Sequence, residues 1–332
     1  VNVDSVLADQ IPLGSRIVSV GGQPAEAYVA EHIHPYLAAG GTHVLARYGT
    51  HEILQGPTDQ QVTFTIRTPT DEERTLTLDR DRTSADFTWA KKAPRRALSS
   101  FKMLDEETGY LALNSFGNGD IVAEFKSYLP ELRKCSSLVI DLRQNGGGNS
   151  GNGYRILEYF LAEPVVTSAW RTREARAAFR AWGKPYENED PQLLGEWNAA
   201  NRQEYLGERW YVSAPDTLQP VSVAERLSIP VAVLVSNYTA SAAEDFLVAA
   251  DPVEQFTYVG EPSYGSTGQP LMLSLPGGGN GRVCTKRDTY ADGREFVGPG
   301  VAVDVTSKQS VADYLADKDV VLERALSVLR GK

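Results

Sequence analysis

Two short segments of this 332-residue chain combine residue types that suit nucleophilic catalysis. Residues 239–244 read Thr-Ala-Ser-Ala-Ala-Glu and place the hydroxyl of Ser241 at the start of a predicted helix. Residues 145–148 read Asn-Gly-Gly-Gly, so side chains do not screen their backbone N–H groups. A hydroxyl can attack a carbonyl carbon, and backbone N–H groups can stabilise the oxyanion that forms. Together, the two segments suit acyl transfer.

Each segment also has a purely structural interpretation. Ser241 followed by Glu244 matches a capping box, in which the two residues exchange hydrogen bonds at a helix start. Glycine triples are common in turns. A phosphate-binding loop is a weaker interpretation, because no Gly-Lys-Ser or Gly-Lys-Thr ending follows Gly148. The combination of both segments is therefore more informative than either alone.

Both segments follow short apolar runs that are typical of buried strands. Residues 137–143 precede the glycine turn, and residues 231–235 precede the serine segment. A third strand is predicted at 257–260, with helices at 154–162 and 242–250. Strands that alternate with helices predict an α/β fold with a largely parallel sheet. In such sheets the strand-to-helix junctions share one edge, where ligands bind.

The first 85 residues predict a smaller, β-rich domain. Its strand-like runs are separated by Gly-Gly, Gly-Pro and Thr-Pro turns, and a helix is predicted over 25–39. The predicted strands are residues 16–20, 43–47, 61–66 and 74–78. Residues 86–332 would then form the main α/β domain. Within it, a tryptophan-rich insertion at about 168–215 is predicted to be mostly helical and to bury its indoles over one side of the cleft.

Composition argues against several classes of function. Apolar residues make up 42% of the chain, as in globular proteins, and 33 basic against 43 acidic residues give a net charge of −10. This charge argues against binding to nucleic acid backbones. Cys135 and Cys284 form no CxxC pair and have no nearby histidine, so the sequence signals neither a disulfide framework nor a zinc site, and we expect no cofactor. We expect no transmembrane segment, because no apolar run approaches about 18 residues.

Four motifs resemble those of the C-terminal processing (tail-specific) serine peptidase family. They are residues 141–148, 239–244, 259–265 and 292–304, and residues 12–24 also resemble part of a PDZ domain. The resemblance extends from about residue 10 and implies a PDZ-like domain ahead of a ClpP/crotonase-like core. It further implies a peptide or protein C-terminus as the substrate. The implied location is periplasmic or otherwise extracytoplasmic.

The resemblance also assigns roles to individual residues. Ser241 occupies the position of the nucleophile. The N–H groups of Ala242 and of Gly147 or Gly148 would form the oxyanion hole. Tyr264 and Gln269 would contact the substrate, although Gln269 lies one position earlier than the corresponding glutamine of the family.

The general base departs from the family pattern. Ser266 stands where the family usually has lysine, and Ala112 stands where a tricorn-like branch has histidine. A Ser-His-Asp triad would need a histidine from the other domain. All histidines lie in that first domain, and we expect them at its surface: His32, His34, His43 and His51.

Lys286 is the candidate base that the sequence favours. Residues 271–275 and 282–286 flank a glycine-rich turn and predict a hairpin, which would return Lys286 toward residues 266–269. A lysine can deprotonate serine if burial lowers its pKa. The alternatives are a proton relay through the Ser266 hydroxyl, a solvated Lys286 with no catalytic role, or no base at all.

The sequence therefore fits three kinds of protein. The first is a serine hydrolase that cleaves peptide bonds through an acyl-enzyme on Ser241, with an esterase as a variant. The second is a catalytically inactive protein that binds peptides or apolar ligands in the same cleft. The third is a crotonase-like acyl-CoA enzyme, which is disfavoured because no basic nucleotide-binding cluster is evident.

Overall fold

The computed structural model describes residues 2–39, 41–81, 86–91 and 96–331. Its N-terminal part contains four strands: β1 (Arg16–Val20), β2 (Gln23–Pro24), β3 (Gln61–Arg67) and β4 (Glu73–Asp79). They form an antiparallel sheet in the order β2-β1-β3-β4. Val20, Phe64 and Ile66 are buried in a hydrophobic cluster that the N-terminal part forms from its own residues. The predicted domain boundary after residue 85 falls at residues 82–85, outside the described residues.

Two helices complete the N-terminal part: α1 (Ala25–His32) and α2 (Thr42–Glu52). The strand predicted at 43–47 is wrong, because these residues lie in α2. The physical reason is spacing: Val44 is fully buried and Tyr48, one turn later, is half-buried, which places both on one helical face. The helix predicted over 25–39 is shorter than expected and ends at His32.

The main part of the chain is built on six strands: β5 (Ser99–Met103), β6 (Thr108–Leu113), β7 (Ser137–Asp141), β12 (Val231–Val235), β13 (Phe256–Gly260) and β17 (Val305–Thr306). Their order in the sheet is β17-β13-β12-β7-β6-β5. Every neighbouring pair except β5 and β6 is parallel. The expected α/β class with a largely parallel sheet is confirmed.

Helices cover both faces of this sheet. One face shares a hydrophobic cluster with α3 (Asp120–Leu132), α4 (Ser150–Leu157) and α7 (Ala242–Ala250). The other face packs against α9 (Val320–Arg330), which follows the short α8 (Val311–Leu315). The predicted helix over 242–250 coincides with α7, whereas the one predicted over 154–162 begins earlier, at Ser150, and ends at Leu157.

The tryptophan-rich insertion is helical only in its centre. Helices α5 (Ala177–Gly183) and α6 (Glu196–Leu206) are flanked by strands β9 (Ala169–Arg173) and β10 (Trp210–Ser213). Strand β9 also pairs with β16 (Arg287–Thr289). The expected burial of the indoles is wrong for Trp182 and Trp197, which are 50% and 61% exposed. Their rings pack against each other and against Phe179 on the helix surface.

Two short strand pairs remain. Strand β8 (Val165–Val166) pairs with β11 (Thr217–Leu218), and β14 (Leu271–Ser274) pairs with β15 (Asn280–Val283). The second pair is the hairpin that the glycine-rich turn predicts, but its second strand ends at Val283, so Lys286 lies beyond the hairpin and just before β16. None of the described helices has the length and apolar character needed to cross a membrane.

Candidate active site

Ser241 stands immediately before α7 in a backbone conformation that few residues adopt. Its φ of 55° and ψ of −122° lie in a region that a side chain disfavours. The Ser241 N–H donates to Glu244 Oε2 (3.0 Å), and the Glu244 N–H donates to the Ser241 carbonyl oxygen (2.7 Å). The sharp turn from β12 into α7 is thus held by hydrogen bonds on both sides of the serine. Strain of this kind is concentrated at functional sites.

The loop that carries Ser241 is bonded to the loop that carries the glycine turn. The Ala240 N–H donates to the Asn145 carbonyl oxygen (3.0 Å), and the Thr239 hydroxyl donates to the Leu142 carbonyl oxygen (2.9 Å). Strands β7 and β12 are parallel neighbours, so both loops leave the same edge of the sheet. The structure therefore brings together the two segments that the sequence singles out.

Gly147 lies against the backbone of the serine turn. A Cβ atom added to it would lie 2.7 Å from the Ala240 carbonyl oxygen and 2.9 Å from the Ala242 nitrogen. Its φ of 99° also favours glycine, as does the φ of 137° at Gly148. Glycine is required at 147 because no side chain fits between the two loops.

The N–H groups near Ser241 are not equally free to bind an oxyanion. The Gly147 N–H donates to the side chain of buried Asn145 (2.9 Å), whose own amide nitrogen donates to the Leu113 carbonyl oxygen (3.0 Å). Across the described part of the chain, the N–H groups of Gly148 and Ala242 have no acceptor. Of the three residues expected to form an oxyanion hole, Gly148 and Ala242 therefore each have a free N–H donor. Gly147 contributes by having no side chain, which allows the two loops to approach each other.

Glu244 is a central residue that the sequence marks only as a helix cap. Its fully buried carboxylate accepts hydrogen bonds from the Ser263 hydroxyl (2.6 Å) and from the N–H groups of Gly265 (2.6 Å) and Ser266 (3.0 Å), in addition to that of Ser241. Burial raises the pKa of Glu244 to about 7, and these donors partly offset that effect. The one available sequence signal is the pair of charged residues, Glu244 and Asp245, inside the otherwise apolar run Ala-Ala-Glu-Asp-Phe-Leu-Val.

Lys286 occupies a buried polar cluster beside α7. Its Nζ donates to Asp288 Oδ1 (2.6 Å), and the carboxylate of Asp288 is fully buried. Asp245 lies near this ion pair and accepts a hydrogen bond from the Ser150 hydroxyl (2.5 Å). Burial raises the pKa of Asp245 to about 6, and the negative charge of Asp288 adds to the shift. No hydrogen bond joins Lys286 to Ser241 within the ranges that the structure covers.

The N-terminal part contacts the loop that follows β13. His43 Nε2 lies 2.8 Å from the Ser263 carbonyl oxygen, and the Tyr264 hydroxyl donates to the Ala38 carbonyl oxygen (3.0 Å). The expectation that the histidines are surface groups is therefore wrong for His43, which is half-buried, and for His34, whose Nε2 is buried. A local sequence pattern cannot show a contact between residues this far apart in the chain.

Gln269 and Tyr264 differ in how they could meet a substrate. Gln269 is exposed, has a positive φ of 41°, and accepts a hydrogen bond from the Thr285 hydroxyl at its carbonyl oxygen (2.7 Å). Tyr264 is half-buried, and its ring packs against Tyr48 of α2 with centroids 5.8 Å apart. Tyr264 thus bridges the two parts of the chain, whereas the side chain of Gln269 is open to solvent.

The model of peptidase family S41 matches residues 107–307, more than half of the chain. The chain belongs to peptidase family S41. The resemblance to C-terminal processing peptidases is thereby confirmed. The matched residues 107–307 include Ser241, the glycine turn and the loops that carry them.

Relatives of this S41 chain include processing peptidases. The chain is 26% identical over 250 residues to carboxyl-terminal-processing peptidase 2, chloroplastic, of Arabidopsis thaliana, a match covering 74% of this chain and 40% of the relative. It is 26% identical over 196 residues to the carboxyl-terminal-processing protease of Picosynechococcus sp., covering 57% of this chain and 45% of the relative. The chain therefore spans less than half the length of these two relatives.

The fold also matches a solved structure. The crystal structure of mature CPAF superposes with a TM-score of 0.65 at 15% sequence identity, covering 91% of this chain and 74% of that one. At this identity, the match supports the fold alone. Together with the S41 match it supports the expected α/β peptidase core.

Proposed function

We propose that this S41 chain is a serine peptidase that cleaves peptide bonds through an acyl-enzyme on Ser241. The observation that carries the proposal is the turn geometry. Ser241 is held in a strained conformation at a helix start, beside the unused N–H groups of Gly148 and Ala242. These groups can bind the oxygen of a carbonyl that the serine attacks. By family resemblance, the substrate is a peptide or a protein near its C-terminus.

The reaction would proceed in two steps, acylation of Ser241 and hydrolysis of the acyl-enzyme. The Ser241 oxygen bonds to the carbonyl carbon while the base accepts the hydroxyl proton, and the oxyanion binds to Gly148 and Ala242. The base then protonates the leaving amine as the C–N bond breaks, which leaves an ester on Ser241. Water, deprotonated by the same base, attacks this ester and releases the acid. Serine and base return to their starting forms.

Lys286 is the base in this proposal, and its surroundings set a condition. Its Nζ is held in an ion pair by Asp288. A lysine accepts a proton only as the neutral amine. If Lys286 is the base, hydrolysis is therefore expected to increase with pH. The Ser266 hydroxyl remains the alternative as a proton relay, since its own N–H is already bonded to Glu244.

The domain organisation and location are also proposed from resemblance. Residues 1–85 would be a PDZ-like domain that binds the substrate chain by strand addition, and residues 86–332 the peptidase core. We propose a location outside the cytoplasm, periplasmic in a bacterium. The chloroplastic relative of Arabidopsis thaliana and the cyanobacterial relative support this proposed location.

A non-catalytic function is the second candidate. It is favoured by Ser266 at the usual lysine position and by the ion pair that engages Lys286. Such a protein would bind a peptide or an apolar ligand in the cleft without cleaving it.

Covalent labelling separates the two functions. A fluorophosphonate should label the wild-type protein and the control variant Ser127→Ala, whose exposed hydroxyl only bonds to the Glu124 carbonyl. Ser241→Ala should not be labelled and should not hydrolyse peptides. If the folded wild-type protein is not labelled between pH 6 and pH 10, the binding function is favoured instead.

A further inference from the structure

A cavity lies on the face of the main sheet opposite to the one that α7 covers. Its volume is about 650 Å³, and it opens at the carboxyl ends of β6, β7 and β12. Val321 of α9 forms part of its wall, whereas Ser241 leads into α7 on the other face. Open α/β sheets bind ligands at this edge. The cavity is therefore in a favourable place for a ligand, and the proposed catalytic reaction does not use it.

The acidic residues that line the cavity are already paired with basic residues. Arg143 bonds to Asp141 (2.7 Å) and to Asp319 (2.7 Å). Two further pairs are Asp317 with Lys91 (2.7 Å) and Glu261 with Lys308 (3.1 Å). The acidic residues are thus not free to attract a cation.

Two arginines of the cavity have no such partner. Among residues 2–39, 41–81, 86–91 and 96–331, no carboxylate forms an ion pair with Arg47 or Arg96. Arg47 instead bonds to the amide oxygen of Asn237, and its guanidinium lies 4.0 Å from the ring centroid of Tyr238. Arg96 is exposed to solvent. The positive charges of both guanidinium groups are therefore available to a ligand.

We propose that this cavity binds a small oxyanion, a carboxylate or a phosphate group, through Arg47 and Arg96. A guanidinium presents paired N–H donors that match the oxygens of either group. Neutral polar side chains complete the lining, including those of Ser236, Gln144 and Asn114. The Ser236 hydroxyl bonds to the Arg143 carbonyl oxygen (2.8 Å) and joins the two loops that lead to Ser241 and Gly147. A bound anion would therefore contact the rear of both catalytic loops.

Calorimetric titration of the full chain with inorganic phosphate and with acetate, at constant ionic strength, tests the proposal. At least one anion should bind more tightly than chloride. Arg96→Gln should raise its dissociation constant at least tenfold, and Arg47→Gln should do the same. The control Arg155→Gln, an exposed arginine outside the cavity, should bind as wild type does.

Each outcome has a defined meaning. Binding of phosphate alone identifies a phosphate group as the ligand chemistry, and binding of acetate identifies a carboxylate. If neither anion binds more tightly than chloride, or if Arg96→Gln binds like wild type, the proposal is wrong. Arg96 is exposed and forms no hydrogen bond or ion pair with the described residues, so Arg96→Gln should fold and decides the question even if Arg47→Gln does not fold. The titration needs no catalysis and is independent of the proposed peptidase activity.

Discussion

Gly147 and Ser241 approach so closely that a Cβ atom on Gly147 would lie 2.5 Å from the Cβ of Ser241. Real Cβ atoms do not tolerate such a contact, and the neighbouring atoms are backbone that cannot move aside freely. The relationship links the strand-to-helix junction after β7 with the one after β12. A larger residue at position 147 therefore tests whether activity depends on the close approach of the glycine turn to Ser241.

We expect Gly147→Ala to lose most of its hydrolytic activity. The added methyl group would push the glycine turn away from Ser241 and separate the N–H groups of Gly148 and Ala242. The loss should appear mainly in kcat, because the oxyanion forms only in the transition state. Gly146→Ala is the matched control, since no atom lies within 4 Å of its added Cβ. Equal losses in both variants would contradict the proposed geometry.

Glu244→Gln should destabilise the protein and lower its activity. Each carboxylate oxygen of Glu244 accepts two hydrogen bonds, including the N–H groups of Ser241 and Gly265. An amide NH₂ in place of either oxygen would face a backbone donor. We expect a loss of about 1–3 kcal/mol in the free energy of unfolding, the usual cost of unsatisfied buried polar groups.

Urea unfolding and peptide hydrolysis measure these effects. The control is Glu254→Gln, a substitution of an exposed residue, which should change neither stability nor hydrolysis. Unchanged stability of Glu244→Gln would show that the four bonds around this carboxylate are not required.

The substitution Lys286→Arg distinguishes the two roles of Lys286, as ion-pair partner of Asp288 and as general base. Arginine can keep the bond to Asp288, so the fully buried carboxylate is not left unpaired, but it does not lose its proton in proteins. If Lys286 is the base, this folded variant should lose about 10²-fold or more in kcat/KM. Wild type should become more active as pH rises, and Lys308→Arg should follow wild type.

Activity retained by Lys286→Arg would exclude the lysine. His43→Gln would then test the histidine that contacts the Ser263 carbonyl oxygen in the loop after β13. Ser266→Ala tests the hydroxyl relay in the same assay, and Ser266→Lys tests whether the usual family lysine raises activity.

The sequence predicts the site where the signal is local. Ser241 and Gly147 each follow a short apolar strand, and both strand-to-helix junctions lie where the pattern places them. The sequence analysis misses three contacts of the site. Two of them join residues only two positions apart: the Gly147 N–H donates to the Asn145 side chain, and Lys286 Nζ donates to Asp288. The third joins His43 to Ser263, which lie far apart in the chain. All three depend on side-chain conformation and loop packing, which neither spacing nor periodicity encodes.

Asp245→Asn should remove the loss in the free energy of unfolding that wild type shows as pH rises and Asp245 ionises. Burial raises the pKa of Asp245 from 3.8 to about 6. Because the folded pKa lies above the unfolded one, the favourable contribution present below about pH 4 is lost as pH rises through about 6. The two-unit shift corresponds to at most about 3 kcal/mol at pH 8. Asparagine does not titrate and can still accept the Ser150 hydrogen bond.

Urea unfolding at pH 4.5 and pH 8 checks this expectation. Relative to wild type, Asp245→Asn should gain stability at pH 8 compared with pH 4.5. Asp292→Asn is the control, because Arg294 lowers the pKa of exposed Asp292 and that carboxylate stays ionised in both states over this range. Its difference from wild type should be the same at both pH values. An Asp245→Asn variant with the wild-type pH dependence would show that folding does not raise the pKa of Asp245.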